Sequence, residues 1–462
     1  MRLSHTVPLV AASFDEPNLV SCAGLAPVMG LAASAGLADL ADRWLTVPSD
    51  KGANAGGKVS ALVAGMVAGA DSIDDMALLR HGGMARLFER VYAPSTLGSF
   101  LRSFRFGHVR QLDAVASRFL VGLVGCTPLL DDVDGPVMVD VDDTIVQVHG
   151  YAKQGAGFGY SGVRGLNALL ATVTTTRCAP LILAQRLRAG QANSARGAKR
   201  LVADALATLA RLRGPKTNAP VLVRADSAFY GHATIGAAIS AGAQVSVTVR
   251  MDPKVKTAIA SIDEHAWTTI DYTDAVFDEQ TRRWISRAEV AEISFTAFSS
   301  RKAAERVTGR LVVRRIPDLA TDPGQDGLFD AWRFHAFFTT SDLDTVTADK
   351  THRGHAVIEH VNADLKNSAL AHLPSGHFAA NAAWLVLAAI AFNLTRAAGG
   401  VAGGPLTKAT TATIRRTLIN VAARIATSGR RARLHLPTAW PWENAWTTLF
   451  RHGLGPPTAA TT

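Results

Sequence analysis

The sequence predicts an α/β protein, and three observations carry that expectation. Runs rich in Val, Ile and Leu at 137–148, 166–188 and 219–225 read as buried strands punctuated by Gly and Pro. Ahead of the last run, residues 195–213 place their apolar positions at helical spacing, leaving Arg196, Lys199, Arg200, Arg211 and Arg213 for the outer face. Residues 240–350 then change character: stretches at 245–249, 290–298, 310–316 and 332–340 suit strands, a β-rich insertion in an alternating α/β pattern.

The flanks read as helical. Within residues 1–130 one helix starts near Lys58 and runs past Met66 and Val67, and Ser72 to Asp75 resembles a capped start for 76–80. Ser95 or Thr96 then caps a short helix, Gly107 breaks it, and 110–124 forms the next. Arg102, Arg105, His108 and Arg110 cluster around that turn, as in a helix-turn-helix laid against DNA or on the solvated face of a small bundle. The glycine-rich 150–165 reads as a turn between strands, because no helix opens after its Gly-x-Gly. From Asp349 the helical pattern returns, with His352, His355, Glu359 and Lys366 on one polar stripe and Ile358, Val361 and Leu365 on an apolar side. Residues 378–394 form a core helix, and the tail from Thr407 carries eight Lys or Arg against one acid, Glu443. Arg415, Arg416, Arg430 and Arg431 of that tail are candidates for phosphate contact, which needs no base reading. The chain thus divides into 1–130, 131–240, 241–345, 346–400 and a basic helical tail, 401–462.

With 462 residues, 48% of them hydrophobic, the chain has ample material for a large core. A net charge of +10 favours an acidic polymer as partner. Cys22, Cys126 and Cys178 lie far apart without zinc spacing and suit a reducing compartment. The N-terminus lacks a long apolar segment before Asp15, and the Ala/Gly/Leu-rich stretch after Leu19 runs into Asp39, Asp42 and Arg43. A soluble cytoplasmic protein is expected.

The strand at 137–148 is the informative one, because Asp140, Asp142 and Asp143 interrupt its β-branched run. Carboxylates in such a setting need a positive partner. No Lys or Arg occurs between Asp134 and Lys153, so a divalent cation is the simplest one. Asp226, ending the run Val-Leu-Val-Arg-Ala-Asp, is a second acid at a strand terminus, where capping the next helix is its ordinary role. Glu359 on the late helix is a third. Three carboxylates in a strand–strand–helix order suit two-metal phosphoryl transfer, in which two ions roughly 3.5–4 Å apart bracket the scissile phosphate.

On these pieces the sequence resembles the DDE transposases of bacterial insertion sequences, most closely the IS thirteen-eighty group allied to the larger IS-four group. The likeness covers about 93–400 and rests on Asp142-Asp-Thr144, Val148-His-Gly150, the run to Asp226-Ser227, and Glu359 with Lys366. The family carries a Tyr and an Arg where this chain has His352 and His355, and Arg353 stands beside them. The resemblance implies an RNase H-like core split by the β-rich insertion and preceded by a helical DNA-binding region. It implies Asp142, Asp226 and Glu359 as ligands of two Mg²⁺ or Mn²⁺ ions, and selects Asp142 over Asp140 and Asp143 because the family's Asp precedes a small residue and Thr. It implies DNA contacts by Arg353, His355 and Lys366, cleavage at terminal inverted repeats, strand transfer into target DNA, and a dimer or larger synaptic assembly. Two rivals are a glycoside hydrolase, disfavoured by the basic tail and by few aromatics near Asp142, and a non-catalytic DNA-binding relative.

Overall fold

The structure is a computed structural model and describes residues 12–48, 51–159, 161–215, 217–278, 282–317, 332–428 and 431–455. The two-residue strand β1 (Leu19–Val20) precedes five helices: α1 (Leu25–Ser34), α2 (Leu37–Trp44), α3 (Ala55–Ala68), α4 (Pro94–Arg102) and α5 (Phe106–Cys126). Pro94 occupies the first turn of α4, where its missing N–H costs nothing. Gly107 does not break the chain as expected but lies inside the first turn of α5; the break is the turn at 103–105 before it. Ser72 and Asp75 do form a reciprocal cap, with Ser72 Oγ donating to Asp75 Oδ2 at 2.7 Å, and the turn it starts is 3₁₀ in form.

The core strands are β2 (Val137–Gln147), the short β3 (Gly157–Phe158), β4 (Arg164–Thr174) and β5 (Leu181–Ala189). Helix α6 (Ala198–Leu212) leads to β6 (Val221–Ala225), and α7 (His232–Ser240) leads to β7 (Gln244–Thr248). In space they stand in the order β5-β4-β2-β6-β7. Strands β5, β4 and β2 are antiparallel hairpin neighbours, whereas β6 and β7 run parallel to β2 through helical crossovers.

Helix α8 (Pro253–Ala260) is followed by β8 (Thr268–Asp278), β9 (Arg283–Ala297), β10 (Val307–Pro317) and β11 (Trp332–Thr339). These four do not stand apart. β11 pairs antiparallel with β7, and β10, β9 and β8 follow outward, so the β-rich stretch extends the core sheet to ten strands.

The chain then re-enters the core through α9 (Thr345–Arg353) and α10 (Val357–Lys366), separated by a 3₁₀ turn at Gly354–Ala356. Helix α11 (Phe378–Ala402) is enclosed on all sides and mostly apolar, with Asn381, Asn393, Thr395 and Arg396 as its buried polar residues. It is long and apolar enough to cross a membrane, yet 89% of its most apolar window is buried inside the protein, against α5, α3 and β5. After the single turn α12 (Thr411–Ile414) the tail is not helical throughout, as its composition suggested. It forms a hairpin of β12 (Ala423–Ser428) and β13 (Arg431–His435) that captures β1, and ends in α13 (Glu443–Leu454) packed on α1.

One polar side chain pins α11 to the sheet. The β4–β5 ladder shifts register between Ala171 and Thr172. There the buried Asn393 amide accepts from Ile182 N at 2.9 Å and donates to Ile182 O at 2.8 Å. Asn393→Leu leaves both groups unpaired in the core and is expected to cost about 2–4 kcal/mol in denaturant unfolding, whereas Asn393→Gln should lose less.

Candidate active site

Strand β2 places three aspartates in three different environments. Asp140 is fully buried and stands in register opposite Arg224 of β6. The Arg224 guanidinium grips it with two bonds, at 2.7 and 2.8 Å, and also donates to the carbonyl of Thr351 at the end of α9. His355 adds Nδ1 to Asp140 Oδ1 at 3.0 Å. The expectation that these carboxylates lack a protein cation is therefore corrected: Arg224 is remote in sequence but adjacent in the sheet.

Asp143 is held on other terms. Arg188, itself buried near the end of β5, donates to Asp143 Oδ2 at 2.6 Å. The same guanidinium takes the carbonyls of Asn193, Ser194 and Arg196 at 3.1, 2.7 and 2.7 Å, gathering the 190–196 loop around one charge. Gly190 starts that loop because a Cβ there would lie 2.1 Å from Gly165 O.

Asp142 has no cation within ion-pair distance among the described residues; its Oδ2 accepts from Asn362 Nδ2 of α10 at 2.9 Å. Burial pushes its carboxyl up to about 6, and the neighbouring charges of Asp143 and Asp226 add to that, with His355 opposing. Asp226 ends β6 and caps the turn Ser227–Phe229, accepting from Ala228 N at 2.9 Å. Burial raises its carboxyl as well, Asp143 adds, and His355 again opposes.

Asp142 and Asp226 line one cavity of about 1240 Å³, together with Asn167, Gln191, Arg250 and Lys366. Two carboxylates lining one cavity, with no ion-pair partner among the described residues, suit one hard divalent ion that keeps several waters. Glu359 is not part of this lining. It sits exposed in the first turn of α10, one turn ahead of Asn362. Among the described residues no three His, Cys, Asp or Glu side chains gather into a metal-holding group. The expected meeting of three acids thus appears as a pair, with the third on the adjoining helix face.

The family model for Transposase DDE domain group 1 matches residues 5–452 of this chain. The chain belongs to the DDE transposases. No match is found among curated proteins.

The other residues singled out in the transposase sequence fall into distinct settings. Lys366 lines the cavity, and His355 is spent on Asp140. Arg353 pairs with Asp349 at 2.8 Å. The polar stripe is broken at Gly354, because a continuous helix would not offer the Thr351 carbonyl to Arg224. His352 turns inward instead, flat on Phe337 with 4.0 Å between ring centroids and bonded to Ser246 and Thr248. Burial holds its ring neutral by pushing its pKa down to about 3.

Arg102 and Arg105 are exposed around the α4–α5 turn, whereas Arg110 pairs with Asp113 and Asp204. Arg416 is exposed, and Arg415 donates its Nε to the Val67 carbonyl. Arg431 lies on β13, and Arg430 falls outside the described residues.

Sequence reasoning missed Arg224, Arg188, Asn362 and Arg250. The first two carried a usable signal: each is a cation inside a run of strand-forming residues and must meet an acid on a neighbouring strand.

Two measurements test this electrostatic picture. Arg224→Met leaves the buried Asp140 without its guanidinium, with only His355 as an ion-pair partner among the described residues, and should cost about 3–5 kcal/mol, most of it recovered by adding Asp140→Leu. The second concerns Asp142, whose carboxyl rises on folding from 3.8 to about 6. The folded chain therefore holds that proton more tightly than the unfolded one. Its stabilising contribution is complete below about pH 4 and is lost as pH rises through 6. Without divalent cations, Asp142→Asn should melt a few degrees above wild type near pH 8, with the gap closing toward pH 4.

Proposed function

We propose that this transposase cuts DNA at the ends of its element and joins them to target DNA by metal-dependent phosphoryl transfer in the cavity between Asp142 and Asp226. One observation carries the reading: of the three aspartates on β2, Asp142 alone has no ion-pair partner among the described residues, and it shares its cavity with Asp226, which has none there either. The order β5-β4-β2-β6-β7, with three antiparallel strands and two parallel ones, supports an RNase H-like core. Placement in the IS thirteen-eighty group rests on the sequence pieces around Asp142, Asp226 and Glu359.

In this reading Asp142 and Asp226 hold a magnesium or manganese ion, and Glu359 supplies the third carboxylate for a second. Such ions, when bound, lower the pKa of an attacking water or hydroxyl and offset charge on the leaving oxygen. The protein's own groups do the rest. Asn362 orients Asp142 by its hydrogen bond. Lys366 and Arg250 bring positive charge to the cavity wall, where a phosphate would sit. Asp140 and Arg224 keep β2, β6 and the start of α10 in fixed relation. A dimer or larger synaptic complex follows from the need to handle two DNA ends at once, and its DNA substrate would place it with the nucleoid in the cytoplasm.

The test is cleavage of DNA carrying the element's terminal repeats, with magnesium, with manganese and after chelation. Asp142→Asn and Asp226→Asn should each lower the rate about 10³-fold or more while DNA affinity persists. Glu359→Gln should match them if it is the third ligand. Cleavage that survives chelation would end the metal assignment, and a wild-type protein that binds but never cuts would make it a DNA-binding relative without catalysis.

A further inference from the structure

Away from the catalytic cavity, helices α5 and α6 enclose a cleft of about 180 Å³ over the middle of β5. Four guanidiniums line it, those of Arg110, Arg118, Arg186 and Arg211, against two carboxylates, Asp113 and Asp204. The carboxylates are already committed. Asp204 accepts from Arg110 at 2.9 Å, Arg186 at 2.6 Å and Arg200 at 3.2 Å, and Asp113 from Arg110 at 2.6 Å and Gln185 at 2.7 Å.

Arg118 and Arg211 are left without an ion pair among the described residues. Arg118 lies over the Trp44 ring at 4.1 Å and donates only to the Ala114 carbonyl at 3.1 Å. Arg211 donates to Ser117 Oγ at 2.6 Å and Thr208 Oγ1 at 3.3 Å. Burial, and then the charge of Arg118, hold the Arg211 guanidinium below its ordinary pKa, so the two cations repel across the groove. Arg186 Nε is buried there with no hydrogen-bond partner. Charge concentrated in this way is what a bound anion would relieve.

We propose that this cleft is a second phosphate site, in which Arg118 and Arg211 grip a backbone phosphodiester of the DNA substrate. Paired guanidiniums suit that ligand, since each offers a planar fork to phosphate oxygens. The volume holds roughly six waters or one phosphate group. The cleft is also joined to the catalytic cavity along the chain. The loop that lines the cavity at 190–194 runs into α6, and the exposed Arg196, Lys199 and Arg200 lie along the way to Arg211. That row gives a duplex backbone a basic track from cavity to cleft. The proposal rests on DNA being the substrate, but not on where or whether the chain cuts it.

The experiment measures binding of the full chain to a short labelled duplex in EDTA between about 50 and 200 mM salt. Cleavage plays no part, so a failure of the catalytic reading would leave the result intact. Arg118→Gln with Arg211→Gln should lower the log–log salt slope by about two and weaken binding about tenfold or more. The charge-preserving Arg118→Lys with Arg211→Lys should keep most of that slope, which loss of packing against Trp44 would not allow. An unchanged slope in the Gln pair overturns the proposal, as does a lysine pair that loses as much slope as the Gln pair. Inorganic phosphate serves as the competing probe. If it raises the melting temperature of wild type but not of the Gln pair, while the duplex slope stays the same, the cleft is a free-anion site and the DNA assignment is wrong.

Discussion

The buried ion pair between Asp140 and Arg224 is the constraint on which the rest of the site depends. It joins two parallel strands at matched register, and its remaining donors and acceptors take hold of the late helical segment through Thr351 and His355. Three remote parts of the chain are thereby brought to one place by groups that do no chemistry. A buried pair of this kind is a weak source of stability, since desolvation consumes most of the Coulomb gain. Its value here is geometric. With Asp140 neutralised inside the sheet, the next outward carboxylate on the same strand, Asp142, is left as the unpaired charge.

The second constraint is the sheet. Because β11 pairs directly with β7, the β-rich stretch continues the core sheet instead of hanging from it. The strand that carries Asp226 therefore lies within a ten-stranded platform, with β2 on one side and β7 on the other. Asp226 sits where β6 gives way to a turn, at the carboxyl end of a parallel strand and beside the β2 position at which strand direction changes. That is the place where open α/β sheets leave a crevice for ligands.

Much of this was legible in the sequence, for identifiable reasons. Strand runs such as 137–148 and the core helix after Phe378 announce themselves through composition, and the short runs around Asp142, Asp226 and Glu359 carried the family resemblance. What was hidden depends on long-range pairing. No local window tells that Arg224 faces Asp140 or that Arg188 faces Asp143, because strand order and register decide both. The same holds for His352, which periodicity places on a polar stripe. The helix breaks at Gly354, where a Cβ would meet Arg224 Nη1 at 2.7 Å, and His352, two residues earlier, stacks on Phe337. The tail from Thr407 was hidden in the same way: its sequence reads as helical, while β12 pairs with β1 and with β13, and Arg415 donates to a backbone carbonyl.

The position of Glu359 follows from how α10 is anchored. Ahead of it, His355 is bonded to Asp140; one turn after it, Asn362 is bonded to Asp142. Near its end, the buried Asp364 accepts from Thr411 N at 2.9 Å and from Arg396 at 3.4 Å, which ties the helix to α11 and α12. A helix fastened at three points along ten residues does not slide or roll without breaking buried polar bonds, each worth about 1–3 kcal/mol once unpaired. That anchoring leaves Glu359 exposed in the first turn of α10, one turn ahead of the amide that holds Asp142.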